Sequence, residues 1–294
     1  MKLLVSWLLI CVAIAAHARK PAETRESLYN NIFIYRDGDY VTMTFGHNDR
    51  IYTESQMNLR DRSELPVAYT RHMTTAIAYP PQVRTIAMVG LGGGRTTQYL
   101  HQYMPDAHVR VSELDPDVIE LAREHFQLRE NDRYRVFAMD GRLFLRRQRA
   151  QFDVILVDAY RGPFVPFHLL TREFYELAKT RLAPGGVVAQ NVEPSTMLFD
   201  SAVATMRAVF ETVDMYPGGG NVVVVAYGGP RRDLAELRAQ ATRRQNEFGF
   251  RYDLPRLVNG RRSLKSGLDG KVLTDDFAPA NMLKAIEQRN RKWE

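Results

Sequence analysis

In four places this chain sets glycines or acids directly behind a short apolar run, which is where chemistry collects when the runs are strands. Ile86–Val89 leads into Gly90-Leu91-Gly92-Gly93-Gly94, and Val109–Val111 leads into Ser112-Glu113-Leu114-Asp115. Val136–Ala138 is followed by Met139-Asp140-Gly141, and Val154–Val157 by Asp158-Ala159-Tyr160. Glycines without side chains let backbone N–H groups approach a ligand and start a helix against it. An acid about 20 positions past such a turn, here Glu113, is placed to accept hydrogen bonds from both hydroxyls of a ribose. Asp140 could accept a hydrogen bond from an adenine amino group, although Asp140-Gly141 reads equally well as an ordinary turn. A carboxylate straight after four apolar residues, as Asp158 is, costs free energy unless it has a partner or a task. Together the four strand ends point to a nucleoside pocket. The glycine turn departs from the dinucleotide fingerprint, because Arg95 stands where the third glycine of G-x-G-x-x-G would be.

Such residues need a scaffold that brings strand ends together. Apolar runs at Ile86–Val89, Val109–Val111, Val136–Ala138, Val154–Val157 and Val187–Ala189 alternate with stretches of helical spacing, notably Pro116–Phe126 and Leu170–Leu182. Repeated β-then-α units predict an α/β fold, a Rossmann-like, mostly parallel sheet with right-handed crossovers. Its ligands belong at the carboxyl ends of the strands, where the strand order reverses. Asp115, Pro116 and Asp117 fit the start of a helix. Leu182-Ala-Pro-Gly-Gly186 fits a helix C-cap. Two late strands, around Val213–Tyr216 and Val222–Ala226, are joined by PGGGN, so the last should run antiparallel to its neighbour. A basic helical segment follows from Asp233 to about Asn246, then a tail containing VLTDDFAPAN. Upstream, NNIFIYRDGDYVTMTFG reads as a hairpin about Asp37-Gly38, with a connecting helix after Pro66 and a stop at Pro80-Pro81.

The first eighteen residues, MKLLVSWLLICVAIAAHA, end in Ala16-His17-Ala18 and read as a cleaved secretory signal. Their apolar run, Leu3 to Ala16, is short of the roughly 20 residues that span a bilayer, so no stable membrane span is expected after cleavage. The expected organisation is therefore a signal peptide at 1–18, an N-terminal β-hairpin subdomain with its connecting helix at 19–80, and the α/β domain at 81–294. The location is then periplasmic or secreted; a start codon placed too early would make the chain cytoplasmic. Cys11 is the only cysteine and falls in the leader, so neither disulfide nor thiol chemistry is expected. Seven scattered histidines show no ligand spacing, and no metal is expected. A net charge of +6, from 40 basic against 34 acidic residues without a basic stripe, argues against a nucleic-acid partner.

GLGGG, ELD, MDG and VDAYRGP, in that order, resemble the spermidine synthase family of polyamine aminopropyltransferases, and the resemblance runs from about Leu28 to Asn281. HLLTREFYELAKTRLAPGGVVAQNV is similar to the segment after that family's Asp-led loop, and LTDDFAPAN is similar to the C-terminal signature of its bacterial spermidine synthase-like branch. The resemblance implies the fold of S-adenosylmethionine methyltransferases and a transferase of polyamine biosynthesis. Gly90, Gly92 and Gly94 would then shape the site for decarboxylated S-adenosylmethionine, with Glu113 on the ribose and Asp140-Gly141 at the adenine. Asp158 would match the carboxylate that helps deprotonate the attacking amine. It also implies a small oligomer, a homodimer at its simplest.

The chain departs from the family pattern where amines are bound. Gly93 stands at the acid of the family's glycine turn, and Arg161 stands at the second acid of its Asp-led loop. Reversing a charge at 4 Å and an effective dielectric of about 20 changes the sign of about 4 kcal/mol, which argues against polyamine recognition. The family's Tyr-Gln is here Tyr29-Asn30, and only Tyr69 survives of an acidic stretch ending in tyrosine. Tyr69, Arg95, Tyr160, Arg161 and Gln190 are the candidate substrate-pocket residues, with the two arginines able to meet a carboxylate or phosphate. Three readings stand: aminopropyl transfer to a small amine, methyl transfer from intact S-adenosylmethionine, and a non-catalytic exported protein that binds a nucleoside or an anionic ligand.

Overall fold

A computed structural model describes residues 20–47, 50–161, 164–263 and 269–276. The leader at 1–18 and the end of the LTDDFAPAN motif lie outside the described residues. The described chain opens with an antiparallel sheet of four strands in sequence order, β1 (Glu23–Glu26), β2 (Asn31–Asp37), β3 (Tyr40–His47) and β4 (Arg50–Asn58). A short helix follows, α1 (Ala68–Met73), running into a 3-10 turn at Thr74–Ala78. The main domain then alternates: β5 (Thr85–Val89), α2 (Arg95–Tyr103), β6 (His108–Glu113), α3 (Pro116–His125), β7 (Tyr134–Ala138), α4 (Gly141–Arg147), β8 (Phe152–Val157), α5 (Arg172–Thr180) and β9 (Leu182–Val192). It continues through α6 (Phe199–Val209), the hairpin β10 (Thr212–Gly218) and β11 (Asn221–Tyr227), α7 (Leu234–Phe248) and α8 (Leu254–Asn259).

The main sheet has seven strands in the order β10-β11-β9-β8-β5-β6-β7. β5 pairs in parallel with both β6 and β8, so the order reverses at β5 and opens a crevice at its carboxyl end. β11 runs antiparallel to both β9 and β10, as the PGGGN turn predicts. The parallel strands are apolar on both faces because helices cover both. Ile86, Met88, Val154 and Leu156 enter one layer of the core, and Ala87, Val89, Ile155 and Val157 enter the other. Asp115 caps α3 by accepting the Asp117 N–H at 3.0 Å. No helix among the described residues is long and apolar enough to cross a membrane.

The structure differs from the sequence expectation in two elements. The N-terminal hairpin is there, with Asp37 paired to Tyr40, but it is the middle of a four-stranded sheet. β1 reads ETRE, which has no apolar face to announce it; Arg25 instead bonds Asp117 at 3.1 Å and Glu120 at 3.0 Å on α3. The sheet's buried face, Ile32, Ile34, Val41, Met43 and Met57, shares one cluster with Val118 and Leu121 of α3 and with Phe126. The second difference is Leu182–Gly186, which does not cap a helix. α5 ends at Thr180, and the Pro-Gly-Gly segment is a bulge inside β9, where the pairing jumps from Phe152–Leu182 to Val154–Val187. Proline and glycine punctuate helix ends and strand bulges alike, so composition alone does not separate the two.

Candidate active site

The four strand ends meet in one cavity of about 740 Å³, lined by Gly90, Glu113, Asp140 and Asp158 among others. That size lies within the roughly 300–1,000 Å³ usual for small-molecule sites. β4 closes one side with Glu54 and Ser55, α1 contributes Tyr69, and the loop after β8 contributes Tyr160, Arg161 and Phe164.

Gly90 locks the glycine turn against the end of β8. Its φ is +94°, and a Cβ there would lie 2.1 Å from the Asp158 carbonyl oxygen, so no side chain fits. Gly94, in the left-handed conformation at φ +67°, is the N-cap of α2. Gly92 and Gly141 also line the cavity. Glu113 accepts the Leu91 N–H at 2.9 Å and the Asp115 N–H at 3.0 Å. Burial pushes its carboxyl up, and the backbone N–H groups offset only part of that. Asp140 divides its oxygens between two partners: one caps α4 through the N–H groups of Arg142 and Leu143, each at 3.0 Å, and the other lies 2.8 Å from His168 Nε2, which also lines the cavity. The His168 bond holds the Asp140 carboxyl below its ordinary range.

Asp158 is the most perturbed strand-end acid with a defined partner. Burial raises it to about 6, against opposing hydrogen bonds from Asn191 and Tyr69. Asn191 Nδ2 donates to Asp158 Oδ1 at 2.9 Å, while Asn221 Nδ2 donates to Asn191 Oδ1 at 2.9 Å and Tyr160 donates its hydroxyl to the Asn191 carbonyl at 3.0 Å. A chain of amides across β9 and β11 thus fixes the orientation of the carboxylate. The Tyr69 hydroxyl donates to the Glu54 carbonyl at 3.3 Å, and its phenol is pushed far up by burial and then by Asp158 and Glu54.

The structure redistributes the remaining sequence candidates. Gln190 does not line the cavity; it is fully buried and accepts the Tyr175 hydroxyl at 2.6 Å on the α5 side of the sheet. Side chains alternate along a strand, so its neighbour Asn191 takes the site side. Arg95 does line the cavity, although it is 5% exposed; its guanidinium donates to the Arg62 carbonyl, and Nε lacks a partner among the described residues. Burial pulls it down to about 10, and no cavity acid contributes to that balance. Arg161 is exposed at the mouth, its backbone bridged to Phe164. Sequence reasoning missed Glu54, Ser55, His168 and Asn191. Of these only Asn191 had a legible signal, the period-two alternation beside Gln190.

The spermine/spermidine synthase domain model matches residues 68–217, the stretch from α1 to the end of β10 that builds most of this cavity. The chain belongs to the spermine/spermidine synthase domain family. It is 28% identical over 274 residues to a polyamine aminopropyltransferase of Vibrio vulnificus, covering 88% of this chain and 90% of the relative. Two solved structures share the fold. One is a probable spermidine synthase from Corynebacterium glutamicum, with a TM-score of 0.68, 23% identity, and coverage of 88% of this chain and 98% of that one. The other is human methyltransferase-like protein 13 in complex with SAH, with a TM-score of 0.56, 22% identity, and coverage of 73% and 98%. Within the spermine/spermidine synthase family, then, the fold is shared with a methyltransferase, and the chemistry has to be argued from the cavity.

Proposed function

We propose that the cavity binds decarboxylated S-adenosylmethionine and transfers its aminopropyl group to a small amine. The observation that carries this reading is Asp158: a half-buried carboxylate at the switch point, raised to about 6 by desolvation and without a cationic partner among the described residues. Glu113 offers the ribose its carboxylate beside the glycine turn, and the Asp140 end of the cavity suits the adenine. The amine nitrogen attacks the methylene carbon next to the sulfonium, the new C–N bond forms as the C–S bond breaks, and methylthioadenosine leaves neutral. The nitrogen's extra proton passes to Asp158, which is ionised at neutral pH and so able to receive it. Holding amine and methylene in line is the scaffold's main contribution.

The cavity's strand-end acids favour the decarboxylated donor over intact S-adenosylmethionine. Glu113 and Asp158 line it, and a further carboxylate within 4–8 Å of either one in its ionised form meets about 2–4 kcal/mol of repulsion at an effective dielectric of about 20. Arg95 also lines the cavity, with one nitrogen of its guanidinium engaged by the Arg62 carbonyl. The likeness to polyamine aminopropyltransferases supports the same choice. We take the mature chain to work in the periplasm or outside the cell, a reading supported by residues 1–18 alone.

The test is calorimetric titration with the two donors, followed by mass spectrometry for methylthioadenosine release in the presence of short-chain amines. Tighter binding of the decarboxylated donor and amine-dependent release are expected. Preference for intact S-adenosylmethionine, with methyl transfer, would sink the proposal.

A further inference from the structure

Five acids line the cavity: Glu54, Glu113, Asp115, Asp140 and Asp158. Four of them have donors. Glu113 holds two backbone N–H groups and Asp158 holds Asn191. Asp140 holds two backbone N–H groups and His168, while Asp115 holds the Asp117 N–H and the Ser27 hydroxyl, the latter at 2.5 Å. Glu54 alone receives no donor from any described residue. Its backbone is nevertheless held in place over the glycine turn. The adjacent Ser55 hydroxyl accepts the Gly93 N–H at 2.8 Å, and Tyr69 donates to the Glu54 carbonyl. Burial, Asp158 and Glu113 all disfavour its ionised form. With no donor to pair it, Glu54 is held toward its neutral form, and a cationic ligand in the cavity would supply the missing partner for the carboxylate.

We infer that Glu54 is the carboxylate that recognises a primary ammonium group in this cavity, in place of the acids that the chain lacks at Gly93 and Arg161. The inference rests on the aminopropyl-transfer reading and names its specificity residue. Neither of the two positions offers an alternative. A Cβ at Gly93 would lie 2.5 Å from the Phe126 ring, so that side of the turn is filled by the core, and Arg161 is exposed at the mouth. Glu54 reaches the same cavity from β4, opposite the glycine turn. The ammonium it holds belongs either to the aminopropyl end of the donor or to the far end of an acceptor diamine. Both present the same charge and the same three N–H donors.

Glu54→Gln keeps the shape and removes the charge. Wild type and variant are titrated with methylthioadenosine, decarboxylated S-adenosylmethionine and diaminobutane, the last with and without methylthioadenosine. Methylthioadenosine carries no ammonium, and its affinity should stay within about twofold, which also reports an intact fold. Loss of a charge-assisted hydrogen bond should weaken one ammonium probe roughly 10- to 100-fold. A loss confined to the decarboxylated donor assigns Glu54 to the donor's ammonium; a loss confined to diaminobutane assigns it to the acceptor's. Unchanged affinity for both ammonium probes overturns the inference, as does a general loss that includes methylthioadenosine and that Glu54→Asp does not restore. If wild type binds no adenosyl ligand, the aminopropyl reading falls by itself. The diaminobutane titration without methylthioadenosine then decides Glu54 separately: binding lost in Glu54→Gln sustains it, and no binding in either protein overturns it.

Discussion

Asp158→Asn should make this protein more stable and less able to transfer. The amide matches the carboxylate in shape, and its carbonyl oxygen can still accept the Asn191 bond, so packing and the amide chain across β9 survive. What changes is the charge. Moving the carboxyl from its ordinary 3.8 to about 6 corresponds to about 3 kcal/mol of penalty on the ionised form at neutral pH. Asp158 is only partly covered at its surface, so solvent screening leaves about 1–2 kcal/mol, or a rise in Tm of roughly 2–6 °C. Because the folded-state value lies above the unfolded one, the folded protein binds more protons between pH 3.8 and about 6, and wild-type stability falls as pH rises through that window. The gap between variant and wild type should therefore be full above pH 6 and close as pH falls toward 4. Differential scanning calorimetry at pH 4.5, 6 and 8, with transfer assayed in parallel, checks both halves. A variant that melts at or below the wild-type temperature at pH 8, or one that retains full activity, would refute the account of Asp158 as a strained proton acceptor.

Two further outcomes follow from the same geometry. Asn191→Ala removes a bond that lowers the Asp158 carboxyl, so the acid limb of the kcat profile should move to higher pH, with a loss of roughly tenfold in kcat; Gln190→Leu should leave that profile in place, and an equal shift from both would show that the strand phase has been misassigned. Gly93→Asp, which restores the family's acid on paper, should cost about 3 kcal/mol or more by driving a side chain into the Phe126 ring, measurable as a lower urea midpoint, and should bring no gain in amine affinity.

The part of the site that was legible in the sequence is the part that depends on one strand at a time. Gly90, Glu113, Asp140 and Asp158 each follow an apolar run, and a parallel sheet brings such ends together whatever the details of its packing. What was illegible depends on contacts between distant segments. Glu54 sits in YTESQMN, whose mixture of polar and apolar residues gave no sign of a strand, and it reaches the cavity because the N-terminal sheet packs on α3 and Ser55 ties β4 to the Gly93 N–H. Gln190 and Asn191 are neighbours, and the bulge at 183–186 sets which of them faces the site. Arg95 lines the cavity, as its place beside the glycine turn suggests; what the sequence did not show is that, as the first residue of α2, it leans back toward the preceding chain and bonds the Arg62 carbonyl.

Position relative to solvent also revises the charge arithmetic that made polyamine recognition look unfavourable. A unit charge 4 Å away counts for about 4 kcal/mol at an effective dielectric of 20, but only about 1 kcal/mol in water. Arg161, exposed at the mouth, acts on a ligand at the lower figure and less still in salt. Glu54, facing Asp158 and Glu113 inside the cavity, acts nearer the higher one once a cationic ligand draws it into its ionised form. Replacing two acids in the sequence pattern therefore does not make the cavity cationic. The outer charge is screened, and if Glu54 on β4 is the ammonium-binding acid inferred above, a ligand that crosses the rim meets Glu54, Glu113 and Asp158 alongside the largely buried Arg95.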